Sequence, residues 1–220
     1  MKLVVLAAGL GTRLRQVSGC RPKSLLDVGG LSIFDRLVDL ADFIGLEPVV
    51  ATRPELAEDF RRRGVEVMVV ENSPHLLVTL AVACRQLPPG PLCWVGADML
   101  FTDPAPLKAL IEEHLALDCF CSSVYCRTPR FKAKLELEPG PALTVTREEG
   151  YELSIPNFLV HAARVTPWLP GDLEDPRGNF VQRGIERGER VLFREYPAAV
   201  FEIDTPADLD TARKHFARCA

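Results

Sequence analysis

The chain has 220 residues, 47% of them hydrophobic and 25% charged, which suits one domain with a full core or two small ones. Its net charge of −4 argues against the basic face of a nucleic-acid binder and against attraction to an anionic membrane. Seven cysteines without a single C-x-x-C spacing speak against a disulfide framework or a structural zinc site, and fit reduced, mostly buried thiols in the cytoplasm.

Read in chain order, Leu3–Leu6 is a short apolar run that predicts a buried strand. It is too short for the apolar region of a signal peptide, and nothing later approaches a membrane-spanning length. Ile33–Leu46 follows as a helix, with Ile33, Leu37, Leu40, Ala41 and Ile44 on one face. Strands at Pro48–Ala51, Val65–Val70 and Leu92–Gly96 then alternate with helices at Pro54–Arg63 and Leu76–Leu87. The basic run Arg61-Arg62-Arg63 ahead of Gly64 reads as a solvated helix end. Continuous apolar strands in βαβ succession predict a parallel sheet covered on both faces, with ligands outside the carboxyl ends of its strands.

The second half changes character. A helix at Pro106–Leu117 precedes strands at Asp118–Arg127, Ala133–Glu138 and Leu143–Thr146, punctuated by Pro139-Gly140-Pro141. A strand at Asn157–His161, a helix at Asn179–Arg187 and strands at Val191–Arg194 and Val200–Ile203 complete this half. The closing helix, to about Phe216, is opened by Pro206 and capped by Thr205. With no internal repeat and no linker, the reading is one domain over residues 1–220. A nucleotide-binding half runs to about residue 105, and an acceptor-binding half with the closing helix follows.

The chemistry gathers at a few points. Ala7-Ala8-Gly9-Leu10-Gly11-Thr12-Arg13 follows the first strand, where small residues let backbone N–H groups approach a phosphate. Arg13 and Lys23 stand just beyond, able to neutralise it. The spacing is neither that of a P-loop nor that of a dinucleotide-binding loop. Asp98 lies just past the strand at Leu92–Gly96, and Asp204 just past the strand at Val200–Ile203. If both strand ends share one sheet edge, the two carboxylates converge beside the glycine loop and offer Mg²⁺ the few protein ligands it takes. His75, His114 and His161 read as surface or structural residues.

Leu6-Ala7-Ala8-Gly9-Leu10-Gly11-Thr12-Arg13-Leu14 with Pro22-Lys23-Ser24-Leu25-Leu26 resembles the signature of nucleotidyltransferases acting on sugar phosphates and related phosphates. Gly96-Ala97-Asp98-Met99-Leu100-Phe101 and Glu202-Ile203-Asp204-Thr205-Pro206 resemble that family's two metal-binding segments. The resemblance spans nearly the whole chain. It implies a Rossmann-like three-layer α/β/α fold with a mixed, mostly parallel central sheet, of the nucleotide-diphospho-sugar transferase type.

It further implies that Leu6, Ala7, Ala8, Gly9, Gly11 and Thr12 cradle a nucleoside triphosphate. Arg13 would bind its β- and γ-phosphates, Lys23 its α-phosphate, and Asp98 and Asp204 the Mg²⁺ cofactor. Arg13, Lys23 and Asp98 are then the catalytic residues. Asn72 and Thr79 lie where relatives contact base and ribose, in a pattern closer to small cytidylyltransferases, so CTP is the expected donor. Glu152 and Asn157 are the candidates for the acceptor, a sugar, polyol, inositol or choline phosphate. No nucleic-acid or membrane partner is expected, and a homo-oligomer is compatible with everything above. The chain stops soon after the closing helix, so the β-helix that larger members append is not expected.

Three alternatives compete with this reading. Nucleotidyl transfer to molybdopterin shares the fold, but such enzymes place lysine sooner after the glycine loop than Lys23 stands here. A glycosyltransferase would carry a D-x-D pair, which Asp98-Met99-Leu100 does not supply. A non-catalytic nucleotide-binding regulator would be signalled by loss of Lys23, Asp98 or Asp204, and all three are present.

Overall fold

The computed structural model describes residues 1–19, 21–71, 73, 75–127, 134–136, 142–144, 152–154, 158–169 and 180–217. The chain begins with β1 (Lys2–Leu6), a 3₁₀ turn at Thr12–Leu14, α1 (Arg15–Ser18) and a second 3₁₀ turn at Lys23–Leu25. A short hairpin, β2 (Asp27–Val28) and β3 (Leu31–Ser32), leads into α2 (Ile33–Ile44). Next come β4 (Glu47–Thr52), α3 (Pro54–Arg61), β5 (Glu66–Val69), α4 (Leu76–Gln86), β6 (Pro91–Gly96), β7 (Met99–Phe101) and α5 (Ala105–Ala116). The later elements are β8 (Cys121–Arg127), β9 (Lys134–Glu136), β10 (Ala142–Thr144), β11 (Glu152–Ser154), β12 (Leu159–His161) and α6 (Ala162–Val165). α7 (Phe180–Glu186), β13 (Val191–Glu195), β14 (Val200–Glu202) and α8 (Pro206–Phe216) close the chain.

The main sheet runs β11-β8-β12-β6-β1-β4-β5, with β13 also paired to β8. β1 pairs in parallel with β4 and β6, and β4 in parallel with β5. β12 is antiparallel to both of its neighbours, so the sheet is mixed and mostly parallel, as the resemblance implied. Side chains of β1 alternate between two cores. Leu3 and Val5 join the cluster that contains α2, α5 and α8 residues, while Val4 and Leu6 join the one built on α4, α6 and α7. That two-sided burial explains why the strand is uniformly apolar.

Helix positions follow from their caps and faces. All five apolar residues expected on the inner face of α2 are buried, and Ser32 with Asp35 forms a capping box at its start. α8 starts at Pro206 under a second capping box made by Thr205 and Asp208. Arg61 and Arg62 end α3 in solvent as expected, whereas Arg63 turns back to pair with Asp35 at 2.5 Å. The strand expected from Asp118 begins only at Cys121: Asp118 takes a left-handed conformation (φ 48°) that ends α5, and extended pairing starts after it. The described cysteines are free thiols. Burial pushes Cys84 up to about 12, consistent with an inert packing role. Among the described residues, no helix is long and apolar enough to cross a membrane.

Candidate active site

The carboxyl ends of β1 and β6 open into a cavity of about 140 Å³. Leu6, Ala7, Ala8 and Gly9 form one wall, Lys23 and Asp98 another, and Thr79 a third. Gly11 starts the first 3₁₀ turn with φ 59°, a conformation glycine adopts without the penalty that a Cβ brings. A Cβ there would also meet the Cβ of Lys23 at 3.4 Å, so glycine permits close approach of the lysine-bearing turn.

The Lys23 turn is held by its own backbone bonds and by the β2–β3 hairpin behind it. Leu26 N–H donates to the Lys23 carbonyl, Ile33 N–H donates to the Leu26 carbonyl, and Arg213 Nε donates to the Asp27 carbonyl. Lys23 Nζ lies 2.5 Å from Asp98 Oδ2 and 3.6 Å from Asp204 Oδ1, with all three side chains about four-fifths buried. Arg13, far more exposed, pairs with Asp204 at 3.1 Å. Two cations and two carboxylates singled out in four separate segments therefore meet in one ion-pair network.

The convergence has a different structural cause from the shared sheet edge anticipated above. β14 stands outside the main sheet and forms an antiparallel ribbon with β7, placing Glu202 opposite Met99 and Phe201 opposite Leu100. Ile203 N–H then donates to the Asp98 carbonyl at 2.9 Å. The ribbon brings Asp98 beside Asp204, and the α8 capping box fixes the latter, since Asp208 accepts from the N–H groups of Asp204 and Thr205.

The same ribbon adds a residue not singled out from the sequence. Asp98, Glu202 and Asp204 each offer a carboxylate oxygen, and these atoms lie within 4.8 Å of one another. An all-oxygen set of acidic ligands suits a hard divalent cation, so these residues fit a metal of the Mg²⁺ type. Glu202 sits two residues before Asp204 in the same segment, the spacing that would have marked it.

Thr79 is 2% exposed, and its hydroxyl shares a short hydrogen bond with that of Ser73. His75, read as surface or structural, lies on the cavity rim. Its Nδ1 accepts the Leu77 N–H at 3.2 Å, which leaves any ring proton on Nε2, and desolvation holds its pKa below the ordinary value. Glu152 is described only as a backbone position in β11, paired with Arg127, while Asn72 and Asn157 lie outside the described residues.

The fold carries a glycine-rich turn after the first strand that faces cations and clustered carboxylates. A family described as the MobA-like NTP transferase domain matches residues 3–175, and the chain belongs to that family of nucleotidyl-transferring enzymes. A search of curated protein sequences found no match. Among solved structures, a Bacillus anthracis protein named as a glucose-1-phosphate thymidylyltransferase, in complex with a sucrose, is similar at 17% identity and TM-score 0.84, covering 99% of this chain and 95% of its own. The inositol-1-phosphate CTP transferase of T. maritima is 20% identical with TM-score 0.80, over 99% and 94%. HddC from Yersinia pseudotuberculosis is 17% identical with TM-score 0.77, over 98% and 99%. At these identities the structural likeness establishes the fold.

Proposed function

We propose that this nucleotidyltransferase moves the nucleotidyl group of an NTP, with CTP as the expected donor, onto a small phosphorylated acceptor in an Mg²⁺-dependent reaction. The acceptor class is a sugar 1-phosphate or an inositol, polyol or choline phosphate. The observation that carries the reading is the network of Lys23 and Arg13 with Asp98, Glu202 and Asp204 beside the glycine turn.

An oxygen of the ionised acceptor phosphate attacks the α-phosphorus in line, the bond to the bridging α–β oxygen breaks, and pyrophosphate leaves. The chain's task is therefore to hold two anions in register and offset their charge, with no protein acid or base required. Backbone N–H groups of the turn from Ala8 to Gly11 face the triphosphate, Lys23 neutralises the α-phosphate, and Arg13 draws on the departing β- and γ-phosphates. Asp98 and Asp204, joined by Glu202, would hold Mg²⁺, which when bound supplies charge stabilisation at phosphate oxygens. Residues to about 105 serve the nucleotide and the later half the acceptor, apart from Glu202 and Asp204, which join the metal group. The MobA-like family match keeps molybdopterin as a second acceptor to be tried.

The test is a matrix of four NTPs against these phosphates with Mg²⁺, scored by pyrophosphate release. One donor–acceptor pair should stand out, and Lys23→Ala and Asp98→Ala should each lower its turnover by about a hundredfold or more. Near-normal turnover in either folded variant overturns the site.

A further inference from the structure

The end of β1 is organised by two side chains that do not belong to the glycine turn. Ala7 N–H donates to the Ala51 carbonyl of β4 at 2.8 Å, and the Ala7 carbonyl accepts from the buried Thr52 hydroxyl at 3.1 Å. Both groups of Ala7 thus face β4, as they would in a continuing strand. The next carbonyl breaks that pattern. A continuing strand would turn the Ala8 carbonyl toward β6, where Ala97 N–H already takes the Leu6 carbonyl at 3.1 Å. Instead it accepts at 2.5 Å from Nε of Arg53, the residue that follows β4.

A trans peptide unit is planar, so its N–H points opposite to its carbonyl. The Thr52 bond therefore directs Ala8 N–H away from β4, and the Arg53 bond directs Gly9 N–H the same way. Two successive amides then face the side where β6 ends in Gly96, Ala97 and Asp98, and all five residues line the cavity. Successive N–H groups turned to one side make an anion-binding concavity. Arg53 also holds a second segment: its Nη2 donates to the Ser73 carbonyl at 3.3 Å, in the loop that leads into α4.

We infer that Arg53 is a positioning residue for the nucleotide's phosphates, pinning the Ala8 carbonyl so that the amides of Ala8 and Gly9 converge on one anion. The inference rests on the proposal that this turn cradles a triphosphate. Arg53 touches no substrate in this account and acts through the peptide it holds. Lysine cannot replace it fully, because one ammonium on a flexible stem does not reproduce a planar fork that reaches the Ala8 and Ser73 carbonyls together.

The experiment measures binding of inorganic tripolyphosphate to the purified full chain by calorimetry, with amide NMR shifts of Ala8 and Gly9 as a second readout. Wild type should bind and shift both amides. Arg53→Met should weaken binding by about tenfold or more, the loss expected when charge-assisted hydrogen bonds no longer hold the amides, and should abolish the Gly9 shift. Arg53→Lys should fall between them, and keeps the test open if the Met variant fails to fold. In turnover assays the NTP KM should rise in both variants while the acceptor KM stays unchanged. Wild-type affinity and an unchanged Gly9 shift in a folded Arg53 variant overturn the inference. Absence of tripolyphosphate binding in wild type instead overturns the phosphate-cradle reading on which it stands.

Discussion

On the proposed function, Lys23 occupies the position that a divalent cation would contest, and removing it should separate metal binding from phosphate binding. Its ammonium stands 2.5 Å from Asp98 and 3.6 Å from Asp204. Opposite unit charges about 4 Å apart interact by ~1 kcal/mol even in bulk water, and by more at the lower effective dielectric of a mostly buried site. The two contacts therefore hold the lysine by ~2–3 kcal/mol, which an incoming cation must overcome before it takes the carboxylates. Lys23→Met keeps much of the apolar stem and deletes the charge. It should tighten binding of Mn²⁺ alone by roughly tenfold to a hundredfold, at ~1.4 kcal/mol per factor of ten. Titration of the free Mn²⁺ signal by electron paramagnetic resonance measures this directly, without turnover. Lys23→Arg should leave the affinity near wild type, and Lys23→Met should at the same time lose tripolyphosphate binding. Unchanged or weaker Mn²⁺ binding in folded Lys23→Met would refute the argument that lysine and metal compete for the same oxygens.

Two further outcomes follow from packing and titration. A Cβ at Gly96 would sit 2.5 Å from Asp98 Oδ1, the movable end of a side chain, so Gly96→Ala should shift the carboxylate rather than unfold the protein. Its thermal midpoint should stay near wild type while turnover drops by about tenfold or more, and parallel loss of both would contradict that. His114 is 1% exposed, and its Nδ1 bonds the Ser122 hydroxyl at 2.7 Å. Desolvation first, then His161 and Arg164, hold its pKa down from 6.5 to about 4, against the opposing pull of Asp118. A base with a depressed native pKa adds stability above pH 6.5 that is lost as the pH falls toward 4, here ~2–3 kcal/mol. Urea unfolding at pH 7.5 and 4.5 should show that loss in wild type and a smaller one in His114→Gln, whereas equal losses would rule His114 out as the cause.

Much of the fold was legible in advance because its signals are local. The inner face of α2 repeats at helical spacing, α8 announces itself through Thr205 and Pro206, and β1, β4 and β6 are apolar because both of their faces are covered. Element ends were less legible: the Asp118 turn displaced the start of β8, and the short strands β2, β3 and β7 carry too few residues for any periodicity.

The glycine turn, Lys23, Asp98 and Asp204 were readable for a related reason. Each is a residue type whose chemistry is set by its immediate neighbours, and small residues after a buried strand imply close backbone approach wherever the strand lies. Glu202 joined the acidic group only because β14 pairs with β7, a hydrogen-bonded match across about a hundred residues of chain that leaves no periodic trace in either segment. Thr52 and Arg53 follow the same logic. In the sequence they are the end of a strand and the residue before a helix-opening proline, and they become partners of Ala7 and Ala8 only once β4 lies in parallel register beside β1. Local chemistry named the glycine turn, Lys23 and the two aspartates. Which groups hold them in place, and which third carboxylate stands with the two aspartates, is a matter of pairing between distant segments.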